Sequence, residues 1–369
     1  MFSDNSMISD RQLKKMLVFD MISISILIIP YIAAKGAGKD GLLSILGASA
    51  AAILYGFIML YFCKQIKSDY MQYCRQTLGK FFAFLFGMLY LVKFFFSAVF
   101  ILTLFTTVIH ETILPNTGSR IILFSLVLVS AFYASKSMEV RARVVEILYY
   151  LILIPLFLLF LLGLYKVNIS NLLPLATAGT MPVLQTGYGV FLTFSAMELI
   201  LFATPSVSGE DEKSKFGRKI MQAVVTTAIF NLLVFVIVVG LLGTAGAERK
   251  LWSTISVMQM IEIPGGFVHR QDAVMLFFWL FTIFTITSSA FHYLCSITRS
   301  ITGAKKQSYI LVFYAAILFL ITMIPLDLDT LYYYFGKYIA LIGLPQSVIL
   351  PLLLIIIGKL RKGGKKCQD

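Results

Sequence analysis

The chain has 369 residues, 59% of them hydrophobic and 13% charged, with a mean hydropathy of +0.88. A soluble domain of this length has no interior able to take that apolar fraction, whereas lipid buries it directly, so composition excludes an ordinary soluble fold. The formal net charge of +13 does not point to nucleic acid, because the basic residues sit in short loops between apolar runs rather than on one face of a domain.

The first fifteen residues are polar, and no small-residue cleavage site follows the first apolar run. We therefore expect no cleavable signal peptide. A crossing needs roughly 20 apolar residues. On that scale the sequence predicts an all-α integral membrane protein of about ten spans, forming a single transmembrane domain. The first five spans are Met16–Ala34, Leu42–Phe62, Phe81–Val108, Ile121–Ala134 and Ile147–Tyr165. The second five are Tyr188–Pro205, Ile220–Thr244, Ala273–Ile301, Ile310–Pro325 and Tyr338–Gly358. Spans 4 and 6 are short, as re-entrant or broken segments are.

With the N-terminus placed in the cytoplasm, the loops and tails on that side carry 22 Lys and Arg, and those on the other side carry 8. This asymmetry predicts both termini to be cytoplasmic. The basic tail 359–369 reads as an orientation signal or as an anchor on anionic membrane lipid. Cys63, Cys74, Cys295 and Cys367 form no Cys-x-x-Cys pair and fall at or near the cytoplasmic side, which fits reduced thiols.

Two spans contain residues that lipid tolerates poorly. Span 1 holds Ser23-Ile-Ser25-Ile26-Leu27-Ile-Ile-Pro30. Pro30 removes one backbone donor and leaves the Ile26 carbonyl without its helical partner. This is either a tolerated kink, with serines bonding back to their own helix, or a break in the helix. Span 6 holds Phe191-Leu-Thr-Phe194-Ser195-Ala196-Met-Glu198, with Gly187 and Gly189 before it and Pro205 after it. An ionised Glu198 in mid-membrane costs roughly 2.5–3.5 kcal/mol on insertion scales, so it is protonated, paired or facing water. The two segments are five spans apart. Discontinuous helices in corresponding positions of two halves point to a transporter-type binding site. The halves expected here are residues 1–165 and 188–358. Free amides at a half-helix N-terminus, around Ser25–Leu27, are suited to a carboxylate.

Ser23-x-Ser25-Ile26-x-x-x-Pro30 resembles the G-x-G-I-x-x-x-P segment of span 1 in the amino acid–polyamine–organocation transporter superfamily. Phe191-Leu-Thr-Phe194-Ser195-Ala196-Met-Glu198 is similar to its span-6 segment, F-x-x-F-x-G-F-E. More narrowly, the chain resembles the B subunit of spore-germinant receptors, the endospore permease branch of that superfamily. The supporting stretches are Ile8–Gln12, Pro30-Tyr31, Gly38–Asp40, Met138–Ile147 and His269–Asp272 leading into Trp279. The resemblance implies a LeuT-like fold of five plus five inverted helices with helices 1 and 6 broken. It also implies an amino-acid-like ligand, partner A and C subunits, and residence in the inner spore membrane. Serines replace the span-1 glycines, and Ala196 replaces a glycine in span 6. Both changes make unwinding less easy.

The substrate-binding residues expected on this basis are Ser23, Ser25, Ile26, Leu27, Lys93, Phe191, Phe194, Ser195, Ala196 and Glu198. Lys93 lies inside span 3, on one helix face with Tyr90, Phe94 and Ser97. It reads as the partner of Glu198, as a site for a ligand carboxylate, or as a fixed charge in place of a coupling cation. Thr287 and Ser288 belong to a hydroxyl cluster in span 8, which suits either a cation site or helix packing. His110, His269 and His292 are not at ligand spacing, so no metal is expected. No motif for a cofactor or a catalytic residue appears. Two functions compete: a receptor subunit that senses a small amino-acid-like germinant, and a secondary amino acid transporter coupled to protons or sodium.

Overall fold

The computed structural model describes residues 7–63, 66, 69–203, 206–207, 210–261, 271–304, 306–324 and 328–365. Pro205, His269, Lys366 and Cys367 lie outside these. The helices are α1 (Asp10–Ala37), α2 (Gly41–Cys63), α3 (Tyr70–Leu78), α4 (Lys80–Thr112), α5 (Ser119–Ala134), α6 (Met138–Leu164) and α7 (Thr180–Phe194). They continue with α8 (Leu199–Ala203), α9 (Glu210–Arg249), α10 (Ser253–Met260), α11 (Gln271–Thr302), α12 (Gln307–Thr322), α13 (Leu328–Tyr338) and α14 (Leu344–Lys365). Among the described residues the only extended pairing is an isolated bridge between Ile8 and Val207.

Among the described residues, seven apolar helical stretches are long enough to cross a bilayer. The first, Asp10–Cys63, has 54 residues, far more than one crossing needs. A 3-10 turn at Gly38–Asp40 divides it into α1 and α2. The shorter apolar helices α5 and α12 have 16 residues each.

Local sequence sets how α1 begins. Ser9 caps it: the Gln12 N–H donates to Ser9 Oγ, and the Ser9 N–H donates to Gln12 Oε1. This reciprocal box satisfies two otherwise orphaned donors. Lys15 then pairs with Glu146 of α6 at 2.5 Å, and Gln12 Nε2 donates to the same carboxylate. The Lys15 hydrogen bond holds the Glu146 carboxyl below the usual carboxylate range.

The expected break in span 1 is absent: α1 is helical from Asp10 through Ala37 with Pro30 inside it. The physical reason is the serine substitution together with outside partners for the strained carbonyls. Ser23 Oγ donates to Phe19 O at 2.5 Å, and Ser25 Oγ donates to Asn231 Oδ1 of α9 at 2.7 Å. The Ile26 carbonyl, deprived of a donor by Pro30, accepts the Thr254 hydroxyl of α10 at 2.7 Å. The Ser23 carbonyl accepts the Trp279 indole N–H at 2.8 Å. At the second expected break the α-helix gives way to a 3-10 turn over Ser195–Glu198 and resumes as α8. The last span also differs from expectation. Residues 328–337, read as an outer loop, belong to α13, which ends at Tyr338 and passes through a π turn at Ile339–Gly343 into α14.

Helix packing follows an exchange rule. Let α1 correspond to α7, α2 to α9, α4 to α11 and α5 to α12. The contact of α1 with α9 then maps onto that of α7 with α2, α4–α5 maps onto α11–α12, and α5–α11 maps onto α12–α4. The pairs α1–α7, α2–α9, α4–α11 and α5–α12 map onto themselves. The exchange holds for part of the packing only: the contacts of α1 with α2 and with α11 have no counterpart of similar extent between α7 and α9 or between α7 and α4.

A polar clasp joins the α1–α2 turn to the segment before α7. The N–H groups of Ala176 and Ala178 donate to the two Asp40 carboxylate oxygens at 2.5 and 2.6 Å. Lys39 Nζ donates to the Ser170 and Leu173 carbonyls. Burial acts to raise the Asp40 pKa, but hydrogen bonds from the 176–178 backbone outweigh it and leave the group below its ordinary value.

Candidate functional site

A cavity of about 210 Å³ lies at the centre, between α1, α4, the α7–α8 junction, α11 and α13. From α1 it takes Ile24, Ile28 and Ile32, which recur every four residues and share one helical face. From α4 it takes Lys93, Phe94, Ser97, Phe100 and Ile101. Aromatic rings pack toward both ends. Toward the start of α1 and α4, Tyr90, Phe94, Phe202 and Tyr293 pack ring against ring, with centroids between 5.3 and 6.1 Å apart. Toward their other ends, Phe100 and Phe335 stack with centroids 3.9 Å apart and planes within 6°. Tyr332 lies edge-on to Phe100.

Lys93 and Glu198 meet in this cavity. Lys93 Nζ lies 2.5 Å from Glu198 Oε1, and the side chains are 4% and 2% exposed. Lys93 also donates to the Ser347 hydroxyl and to the Gly343 carbonyl. An ammonium has three donors, and all three are engaged. Of the readings open at the sequence level, the geometry is that of an internal pair. Lys93 has no donor left for a ligand carboxylate. Among the described residues, Glu198 Oε2 has no hydrogen-bond partner.

Sequence reasoning missed a second polar group on the cavity wall. Asp20 of α1 is 5% exposed and lines the cavity together with Ser289 of α11. Ser289 Oγ lies 3.4 Å from each Asp20 oxygen and accepts Arg141 Nη2 of α6 at 3.0 Å. Asp20 is an ionisable residue inside the apolar run Met16–Ala34, and that same signal identified Glu198. Applied evenly, it finds both.

The expected site residues divide. Lys93, Ala196 and Glu198 line the cavity. Ser25 turns to Asn231, and Leu27 is fully buried in the core. Ser23 and Ile26 line a separate void of about 20 Å³ with Trp279, room for about one water. On a continuous α1, Ser23 and Ile26 lie about 100° or more around the helix from both Ile24 and Ile28, while Ser25 and Leu27 lie about 60–100° from them, beside the face that lines the cavity. Phe194 is wholly buried, and Phe191 packs edge-on against Tyr55 with centroids 5.8 Å apart. The Ser195 backbone belongs to the 3-10 turn. Thr287 and Ser288 are buried and do not line the cavity, and their hydroxyls have no partner among the described residues.

A family profile described as "Spore germination protein" matches residues 7–330. Spore germination protein YndE of Bacillus subtilis is 24% identical over 368 residues, covering 99% of this chain and all of the relative. Spore germination protein GerLB of Bacillus cereus is 30% identical over 203 residues, 53% of each chain. Among solved structures, a substrate-bound, outward-open Na+-coupled sialic acid symporter superposes with a TM-score of 0.64 at 15% identity. It covers 92% of this chain and 77% of its own. A manganese transporter of Eremococcus coleocola superposes with a TM-score of 0.54 at 12% identity, covering 93% and 77%. The all-α membrane architecture is therefore LeuT-like, and the chain belongs to the spore germination protein family of endospore permeases.

Proposed function

We propose that this chain is the B-type subunit of a spore germinant receptor, which binds a small amino-acid-like germinant in the central cavity. In this reading it signals to A- and C-type subunits in the inner spore membrane. Both termini face the cytoplasm, and residues 1–165 and 188–358 form the two repeats. One observation carries the reading: a small, mostly apolar cavity, flanked by aromatic rings, with a buried ion pair on its wall. Such a cavity suits a ligand of amino-acid size, since drug-sized pockets run from about 300 Å³ upward. Lys93, Ala196, Glu198, Asp20 and Ser289 are the side chains we assign to it.

The transporter reading rests on the neighbours' fold, and sodium coupling needs oxygen ligands. At the middle of α1, Thr254 and Trp279 already donate to the Ile26 and Ser23 carbonyls, which supports sensing over sodium-driven transport. The experiment that separates the two pairs uptake with response. Purified protein in liposomes should show no concentrative uptake of labelled amino acids under a proton or sodium gradient. Spores lacking the chain should lose their germination response to at least one amino acid. Gradient-driven uptake by the chain alone would establish the transporter reading instead.

A further inference from the structure

We infer that the cavity recognises its ligand through an ammonium group, received by the unpartnered Glu198 Oε2 and by Asp20, and that no charged group there receives a carboxylate. This rests on the cavity being the ligand site. Lys93 faces the cavity with its three donors committed to Glu198, Ser347 and Gly343. Arg141 does not line the cavity. It stands behind Ser289, with Nη2 donating to that hydroxyl and Nη1 3.7 Å from the Met138 sulfur. Arg141 Nε has no partner among the described residues, but it lies behind the wall, so neither cation presents a free donor on the cavity surface.

The carboxylates are different. Glu198 is 2% exposed and lines the cavity, and its Oε2 has no partner among the described residues. Asp20 is 5% exposed, and Ser289 approaches each of its oxygens at a long 3.4 Å. A buried carboxylate oxygen left unpaired is costly, and a bound donor relieves that cost. An ammonium brings three donors and a positive charge. A ligand carboxylate at the same place meets like charge. Apart from Ser97 and Thr193, whose hydroxyl donates to the Val190 carbonyl, the remaining wall is mostly aliphatic and aromatic, with Ile24, Ile28 and Ile286 along it. The ligand class is therefore a short aliphatic body bearing an ammonium.

The test uses the purified full chain in detergent and three isosteric probes at matched ionic strength: isobutylammonium, isobutanol and isobutyrate. Isobutylammonium should raise the unfolding midpoint in a saturable way, and the other two should not. The double variant Lys93→Met/Glu198→Gln removes the pair without stranding a charge and should weaken the apparent ammonium affinity at least tenfold. If that variant does not fold, Glu198→Asp, which withdraws the carboxylate by one methylene, should weaken it too. Stabilisation by isobutyrate equal to that by isobutylammonium overturns the inference. So does an undiminished ammonium effect in the variants, or no ammonium effect at all. Gly189→Leu keeps this failure distinct from failure of the cavity reading. If amino acids stabilise the wild type but not Gly189→Leu, the cavity stands and only the ammonium assignment falls.

Discussion

At the scale of single residues, the Lys93–Glu198 pair is buried on both sides, so each charge depends on the other. Removing one partner of a buried pair typically costs about 3–5 kcal/mol, because the survivor has no compensation. We expect Lys93→Met to lower stability by about that much, and Lys93→Met/Glu198→Gln to recover most of it. Thermal unfolding of the four proteins in one detergent measures the cycle, and additive losses would mean the two charges are not coupled. Asp40 makes a second case. Its folded carboxyl titrates below its ordinary value, so its contribution is complete above the unfolded value of about 3.9 and is lost as pH falls through the folded value. Asp40→Asn should be less stable than wild type at neutral pH, with the difference closing below about pH 4. An unchanged gap in acid would dissociate the clasp from stability. Glu198 and Lys93 were legible because a charge in an apolar run must find a partner. That the partner would use every Lys93 donor was not legible. It depends on the Gly343 carbonyl and Ser347 hydroxyl, which come from a helix 250 residues away in sequence.

At the scale of elements, the instructive case is α1. Its proline was read correctly as freeing the Ile26 carbonyl, but the helix stays whole because Thr254 supplies the missing donor. The rescue comes from α10, in a stretch read as a plain outer loop, and no local pattern announces a tertiary hydrogen bond. Thr254→Val should therefore cost about 1–3 kcal/mol by leaving a buried carbonyl unpaired. Pro30→Ala restores an N–H within reach of the same carbonyl, so Thr254→Val should be close to neutral in that background. The coupling in this cycle, read from unfolding midpoints, should be about 1–3 kcal/mol, and a coupling near zero would show that the hydroxyl does not compensate the proline. The cavity follows from the same continuity. An unbroken α1 presents Ile24, Ile28 and Ile32 to it and turns the serines away. Of the residues the two motifs singled out, Ala196 and Glu198 line the cavity, and Ser23 and Ser25 do not.

At the scale of the whole molecule, hydropathy and loop charge carried the membrane class and the order of the helices, because both depend on composition over windows of about 20 residues. Helix α13 escaped them. Its tyrosines and Lys337 make it amphipathic rather than uniformly apolar, yet it supplies Tyr332, Phe335 and Gly336 to the cavity wall. The central claim is that this cavity holds the ligand, and glycine gives access to it. A Cβ added at Gly189 meets only Ile32 Cγ2, at an ordinary 3.6 Å, and both residues line the cavity. Gly189→Leu therefore fills ligand space without a backbone clash, and it removes a glycine penalty of about 1 kcal/mol from a helix interior. The decisive measurement is the unfolding midpoint of wild type and Gly189→Leu across a panel of amino acids. The account predicts a variant at least as stable as wild type that has lost the ligand-dependent rise, whereas a rise of equal size in both proteins would place the ligand elsewhere.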